Sequence, residues 1–271
     1  MASSLGTHPG IRAILDAAAP WHTLEHRAQA TSALDVALAL ARDGARPGLV
    51  VVADRQSAGR GRAGRPWQDG PTAEASLLVA ALVDPPGVAT GLVPLVTGVA
   101  VADVTERLGI DATLKWPNDV LVGSAKCAGI LAERHAVDGL DRLLIGIGID
   151  VDWRGADRTG EAAGWTSLAE AADRDLDRGE VLADLLRALA DRLEEVQAAR
   201  DVALAAYRGR CSTLGQEVEV ALPGDRHVSG RAIDVDADGH LVVDTGRERI
   251  VISVGDVVHL RGDVPDGSRP P

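Results

Sequence analysis

Two unbroken apolar runs, LVVVA at 49–53 and ASLLVAALV at 75–83, constrain the fold of this chain more than any other feature. Runs of that length without polar alternation read as strands covered on at least one face by helices. Helical partners flank them. TSALDVALALARDG, from residue 31, has helical apolar spacing and closes at Gly44, and PLVTGVAVADVTERLG at 94–109 has the same character and a glycine stop. TLKW and DVLV read as short strands around a turn at Pro117, and CAGILAE and DRLLIGIGIDV as a paired set. Residues 177–208 carry the clearest helix. Asp177 and Glu180 are spaced for a capping box, and Val181, Leu182, Leu185, Leu186, Leu189, Leu193 and Val196 form one apolar stripe. From residue 212 the pattern changes to short alternating segments with a turn signal at Asp238-Gly239, which predicts a small all-β barrel over 212–262. The tail from 263 reads as disordered.

A chain of 271 residues suits a large domain with a small partner, and at 46% hydrophobic it can bury a real core. With no phenylalanine and one tyrosine, that core must be aliphatic. A formal charge of −12 argues against non-specific nucleic-acid binding, so any anion site has to be local. The two cysteines, Cys127 and Cys211, have no metal-ligand spacing and fit reduced thiols in the cytoplasm. The opening residues lack the pattern of a secretory signal, and no apolar run reaches membrane-spanning length.

The chemistry concentrates in four segments. GRGRAGR at 59–65 combines glycines, which let backbone N–H groups approach a ligand, with Arg60, Arg62 and Arg65, forked donors for phosphate or carboxylate. Its place between two buried strands, with Trp67 just beyond, favours an anion-binding loop over an RGG-like segment for single-stranded nucleic acid. In KWPND, Asn118 and Asp119 could hold Mg²⁺ or simply close a tight turn. In KCAGIL, Lys126 could neutralise a carboxylate and then a phosphoryl group, or could be a strand-edge charge. The inventory favours the first reading. Lys115 and Lys126 are the two lysines among 28 basic residues, and Asn118 is the one asparagine; a compact ammonium is wanted where guanidinium would not fit. The glycines of GIGID at 146–150 mark either close backbone approach or packing against a helix. No P-loop, nucleophile elbow or Cys/His metal cluster is present.

GRGRAGRPW, KWPNDVLV, KCAGILAE and GIGIDV, in this order and spacing and followed by a β module ending SVGDVVHL, resemble the signature of biotin protein ligases over roughly residues 20–262. The resemblance implies an α/β (α+β) catalytic domain on a mixed sheet, class II synthetase-like, over about 20–210, with an SH3-like barrel over 212–262. It implies ATP, Mg²⁺ and biotin as ligands, a biotinyl-5′-AMP intermediate, and transfer to a lysine of a carboxyl carrier domain of acyl-CoA or pyruvate carboxylases. It places Ser32, Ala33, Leu34, Gln56, Gly59, Arg60, Gly61, Arg62, Lys126 and Gly129 around biotin. It places Arg62, Arg65, Trp67, Lys115, Asn118 and Asp150 around ATP, with Asp119 and Asn118 near the metal. Lys126, Arg62, Asp119 and Lys115 would carry the chemistry. Two departures stand out. Ser32-Ala33-Leu34 replaces the family's Ser-Thr-Asn, which predicts weaker biotin binding, and Asp150 replaces an asparagine, which puts a carboxylate near ATP. Relatives acting on lipoate or octanoate, and a non-catalytic biotin or nucleotide binder, are the competing readings. About 20 residues precede the catalytic region, too few for a helix-turn-helix module, so no operator binding is expected. Family members are monomers or dimers, and a homodimer is compatible with the sequence.

Overall fold

The computed structural model describes residues 5–17, 20–88 and 90–260. Helix α1 (Pro9–Asp16) is followed by β1 (Thr23–Arg27), α2 (Ala33–Arg42) and β2 (Leu49–Ala53). Beyond the glycine-arginine loop come β3 (Ser76–Val83), α3 (Leu92–Arg107), β4 (Ala112–Lys115), β5 (Asp119–Val122), β6 (Ala125–Val137) and β7 (Leu140–Asp150). Three helices close this part: α4 (Leu168–Ala172), α5 (Arg178–Ala198) and α6 (Arg200–Arg210). The C-terminal module is β8 (Glu217–Leu222), β9 (Arg226–Val235), β10 (Leu241–Asp244), β11 (Arg249–Ile252) and β12 (Asp256–His259).

The first seven strands make one mixed sheet in the order β1-β2-β3-β7-β6-β5-β4, with β1–β2 parallel and every other pair antiparallel. The unbroken runs of β2 and β3 are buried at every residue because both faces are covered. Val50, Val52, Leu77 and Val79 face α3 and α5, while Leu49, Val51, Leu78 and Ala80 face α2. Helix α1, N-terminal to the expected domain boundary at 20, packs on α5 and buries Ile11 and Ile14 in the same core.

Two local expectations are corrected. The stretch 177–208 is two helices, broken at Ala199 (φ −148°, ψ 66°). The break turns α6 onto α3, β4 and β9, which buries Leu204 and Tyr207. Asp177 caps α5 by accepting from the N–H groups of Gly179 and Glu180, but the reciprocal capping box is found at Ser167 and Glu170 of α4. The apolar stripe of α5 is buried as expected.

The C-terminal strands form an antiparallel sheet in the order β11-β10-β9-β8-β12, the SH3-like module. Its seam with the seven-stranded layer is built on the β4–β5 turn. The buried Trp116 donates from its indole to the Gly239 carbonyl at 3.0 Å and from its backbone N–H to Thr213 at 3.1 Å. Gly239 has φ +87°, and a Cβ there would lie 2.8 Å from the Gly91 carbonyl oxygen, so the barrel turn needs glycine on two counts. The residues from 261 onward, including the tail, lie outside the described residues.

Trp116→Ala should cost about 3–5 kcal/mol, through the lost ring volume and the freed Gly239 carbonyl. Equilibrium denaturant unfolding should show a lower midpoint; an unchanged midpoint would mean the seam contributes nothing to stability.

Candidate active site

A cavity of about 770 Å³ opens on the α2 side of the sheet, between the central strands and the β-barrel. Its floor exists because glycines remove side chains from strands that elsewhere are filled. Gly129 of β6 pairs with Gly148 of β7, and Leu131 with Gly146. A Cβ on Gly148 would lie 2.5 Å from the Trp67 ring, and one on Gly129 would lie 2.7 Å from it. A Cβ on Gly146 would meet Leu34 of α2 at 2.8 Å. Both readings of GIGID therefore hold, one per glycine: Gly146 admits a helix and Gly148 admits an aromatic ring.

The glycine-arginine segment is a folded flap. Trp67 N–H donates to the Gly59 carbonyl at 2.9 Å and Gly61 N–H to the Arg65 carbonyl at 2.7 Å, which closes a hairpin-like loop. At its base, Gln56 N–H donates to Asp69 at 2.5 Å, while the Gln56 side-chain oxygen accepts from Ala33 N–H at 2.7 Å. The latter caps the N-terminus of α2, where the Ser32 side chain makes no capping bond. Burial pushes the Asp69 carboxyl above its ordinary pKa, against the Gln56 N–H and Arg55.

Every arginine of the flap rests on a carboxylate. Arg60 bridges Asp35 at 2.9 Å and Glu133 at 3.1 Å. Arg65 meets Asp256 at 2.7 Å, and Arg62 reaches Asp256 at 3.7 Å and the Gly255 carbonyl at 3.2 Å. Burial lowers the Arg62 pKa from the usual guanidinium value, with Asp256 opposing it. Arg62 and Arg65 thus tie the flap to the barrel.

Lys126 lies over the floor, its ammonium 2.6 Å from Asp119. It sits 5.2 Å from the Trp67 ring and 5.4 Å from Trp165, within cation–π reach of both. Lys115 lines the cavity and makes no salt bridge among the described residues. Asn118 donates its side-chain amide to the Ile130 carbonyl at 2.8 Å and accepts Ile130 N–H on its backbone carbonyl at 3.0 Å. That pins β5 to β6 and leaves the Asn118 side-chain oxygen as its remaining acceptor. The Trp116–Pro117 peptide bond between these groups is cis.

Ser32, Ala33, Leu34, Gln56, Arg60 and Gly61 reach the cavity, as do Arg62, Arg65, Trp67, Lys115, Asn118, Asp119, Lys126 and Gly129. Two expected residues do not. Gly59 is buried behind the wall, beside the Gln56 side chain and the Trp67 backbone. Asp150 is fully buried and does not line the cavity. Its Oδ1 accepts from Ser76 at 3.1 Å, and Ser76 accepts from the Trp153 indole at 2.8 Å. Desolvation raises the Asp150 pKa well above the carboxylate range. Oδ1 serves as the acceptor for Ser76, while Oδ2 is buried with no hydrogen-bond partner among the described residues.

Sequence reasoning missed Trp165, Asp256 and the other barrel residues at the cavity, among them His259, whose pKa is lowered by burial and then by Lys115. A signal for Trp165 existed: in a chain without phenylalanine, three of five tryptophans meet here, Trp67–Trp165 at 5.1 Å and Trp153–Trp165 at 5.9 Å. Asp256 carried none, because it lies in another domain.

A mixed sheet with a cation-lined cavity, flanked by an antiparallel β module, is the architecture of a two-domain α/β protein with a site for anionic ligands. The Biotin/lipoate A/B protein ligase family profile matches residues 31–150, and that of the biotin protein ligase C-terminal domain matches 213–260. The chain is 38% identical over 256 residues to a biotin–acetyl-CoA-carboxylase ligase of Mycobacterium tuberculosis, spanning 92% of this chain and 93% of that protein. It is 34% identical to the bifunctional ligase/repressor BirA of Escherichia coli, over 73% of this chain and 62% of that one. A biotin protein ligase from Aquifex aeolicus, solved in complex with biotin and ATP, superposes with a TM-score of 0.75 at 28% identity, covering 89% of this chain and all of the other. The chain belongs to the biotin/lipoate protein ligase family.

A carboxyl whose folded pKa is raised adds stability that is complete below its unfolded pKa and is lost as pH rises toward the folded value. Asp150→Asn removes that loss. Its melting temperature should therefore rise relative to the native chain as pH increases above about 4. A difference that does not change with pH would mean that Asp150 is ionised in the folded protein.

Proposed function

We infer that this cavity is the active site of an ATP-dependent biotin protein ligase, which forms biotinyl-5′-AMP and passes biotin to a lysine of a biotin-dependent carboxylase carrier domain. The observation that carries this reading is the placement of Lys126. Its ammonium lies over the glycine floor between Trp67 and Trp165, with Lys115, Arg62 and Arg65 lining the same cavity. The first step brings two anions together: a biotin carboxylate oxygen attacks the α-phosphorus and pyrophosphate leaves. Lys126 offsets the repulsion at the attacking carboxylate, and its short pair with Asp119 holds the ammonium in place beforehand. Lys115, Arg62 and Arg65 meet the polyphosphate, which displaces Asp256 from the arginines. Trp67 offers its ring to the adenine side. In the second step the acceptor amine attacks the acyl carbon, AMP leaves, and the surplus proton passes to solvent.

Asp119 and the side-chain oxygen of Asn118 are a small oxygen-donor set; no cluster of three His, Cys, Asp or Glu suited to a metal occurs among the described residues. That set fits Mg²⁺ arriving on the triphosphate with most of its waters, and bound there the ion would neutralise phosphate charge. The reading places the reaction in the cytoplasm, where the buried Cys127 and Cys211 stay reduced. No helix of the described residues is long and apolar enough to cross a membrane.

Incubating the protein with biotin, Mg-ATP and a carboxylase carrier domain should raise the intact mass of the carrier by one biotin, only with ATP. No shift on a carrier that another ligase modifies would favour a non-catalytic binder. Lys126→Arg should slow biotin-dependent ATP–pyrophosphate exchange by roughly 10²–10³-fold. Unchanged exchange would remove the argument for a compact ammonium.

A further inference from the structure

The cations that line the cavity divide into two groups. Arg60, Arg62, Arg65 and Lys126 each rest on a carboxylate. Lys115 and His259 line the same cavity, and neither makes an ion pair among the described residues. The strand register explains why Lys115 has no counter-charge. Asp119 is its cross-strand partner on β5, but the Asp119 carboxylate is taken by Lys126 at 2.6 Å.

His259 comes from the β-barrel. It stands at the end of β12, opposite the apolar Val218 of β8, and its Nε2 lies 3.1 Å from the Thr213 hydroxyl. That hydroxyl accepts the Trp116 backbone N–H at 3.1 Å and keeps its own proton to give. Given to Nε2, it leaves the ring proton on Nδ1, which has no partner among the described residues. Thr213 and Trp116 thus hold the ring at the seam with Nδ1 unengaged. The nearness of Lys115 is felt there: burial lowers the His259 pKa below the usual imidazole value, and the Lys115 charge lowers it further. Of the carboxylates around it, Asp256 on the same strand is held by Arg62 and Arg65, and Glu217 of β8 meets the strand through its backbone carbonyl. Two neighbouring basic groups without a counter-charge are relieved by an anion that reaches both.

We propose that His259 is a pyrophosphate-binding residue, which with Lys115 forms a cradle for the terminal phosphates of the nucleotide and holds the pyrophosphate that leaves. This rests on the reading of the cavity as a nucleotide site and adds to it a group that the barrel contributes. His259 takes no part in making or breaking a bond between heavy atoms; its Nδ1–H donates to a phosphate oxygen. The imidazole takes up a proton as the anion arrives, because a phosphate beside it favours the charged ring where Lys115 alone disfavours it. Thr213 then turns its hydroxyl to accept from Nε2–H. The pKa of the ring is therefore higher with the anion bound than without it. Affinity gained in this way is complete below the free-state pKa and is lost as pH rises past the bound-state value.

The test titrates the full-length native chain and His259→Gln with inorganic pyrophosphate and Mg²⁺ in a calorimeter, at about pH 6 and about pH 8.5. Glutamine keeps a hydrogen-bonding side chain but takes up no proton, and the titration of pyrophosphate itself is common to both chains. The variant should bind about tenfold more weakly than the native chain at the lower pH and within about twofold of it at the higher. Equal affinities at both pH values, or an equal loss at both, would make His259 a residue of the seam alone and overturn the proposal. Biotin-dependent ATP–pyrophosphate exchange by the native chain would then leave the ligase reading standing. No exchange, with the pH-dependent difference intact, would remove the ligase reading and leave the anion cradle. No binding of pyrophosphate by the native chain would also overturn the proposal. Should the variant not fold, an NMR pH titration of the His259 ring in the native chain decides the matter. Its pKa should rise when pyrophosphate is added, and an unchanged pKa overturns the proposal.

Discussion

A mixed sheet with apolar residues on both faces has to be covered on both faces, and on one of them the helix is too short for the job. Helix α2 has ten residues, about 15 Å of length, and packs on β2, β3 and β7. Beyond its reach, β6 and β7 carry glycines and the cover is the Trp67 indole with the Lys126 side chain beside it. The candidate site is that gap. Filling it with side chains would complete an ordinary core, and the glycines at 129 and 148 are what keep it open.

The charges follow from the same gap. An acidic chain of −12 holds a local concentration of cations only if each has a counter-charge, and the pairs show the arrangement. Arg60 rests on Asp35 and Glu133, Arg62 and Arg65 on Asp256, and Lys126 on Asp119. An anionic ligand therefore exchanges partners with carboxylates already in position. The pairs of Arg60, Arg65 and Asp256 are partly exposed, so the exchange is cheap. Asp150 obeys the opposite rule. Sealed from water and without a cation in contact, its carboxyl has its pKa pushed up by burial, which favours the neutral form.

Much of this was legible without coordinates. Apolar runs located β2 and β3, and the seven-residue stripe located α5, because burial on a regular element leaves a period in the chain. The scarcity of lysine and asparagine singled out Lys115, Asn118 and Lys126, all of which face the cavity. Less legible was anything depending on contact between distant segments. Nothing local distinguishes Ala199 from the helical residues around it; the bend comes from α6 having to reach α3 and β9. Asp150 read as a phosphate neighbour because its place in the strand was clear while the roof of Ser76 and Trp153 was not.

By itself, then, the sequence determined the mixed α/β layer with a β-barrel behind it, the glycine-arginine flap, and the cationic residue types that line the cavity. These follow from periodicity, turn chemistry and residue scarcity, which are properties of short stretches. Only the tertiary structure decided that Asp256 of the barrel holds the flap, that Trp165 completes the aromatic wall, and that Leu34 rests on Gly146 at the apolar end. Those are meetings of side chains far apart in the chain. Their distances are set by how the sheet, α2 and the barrel pack together, and no local pattern encodes them.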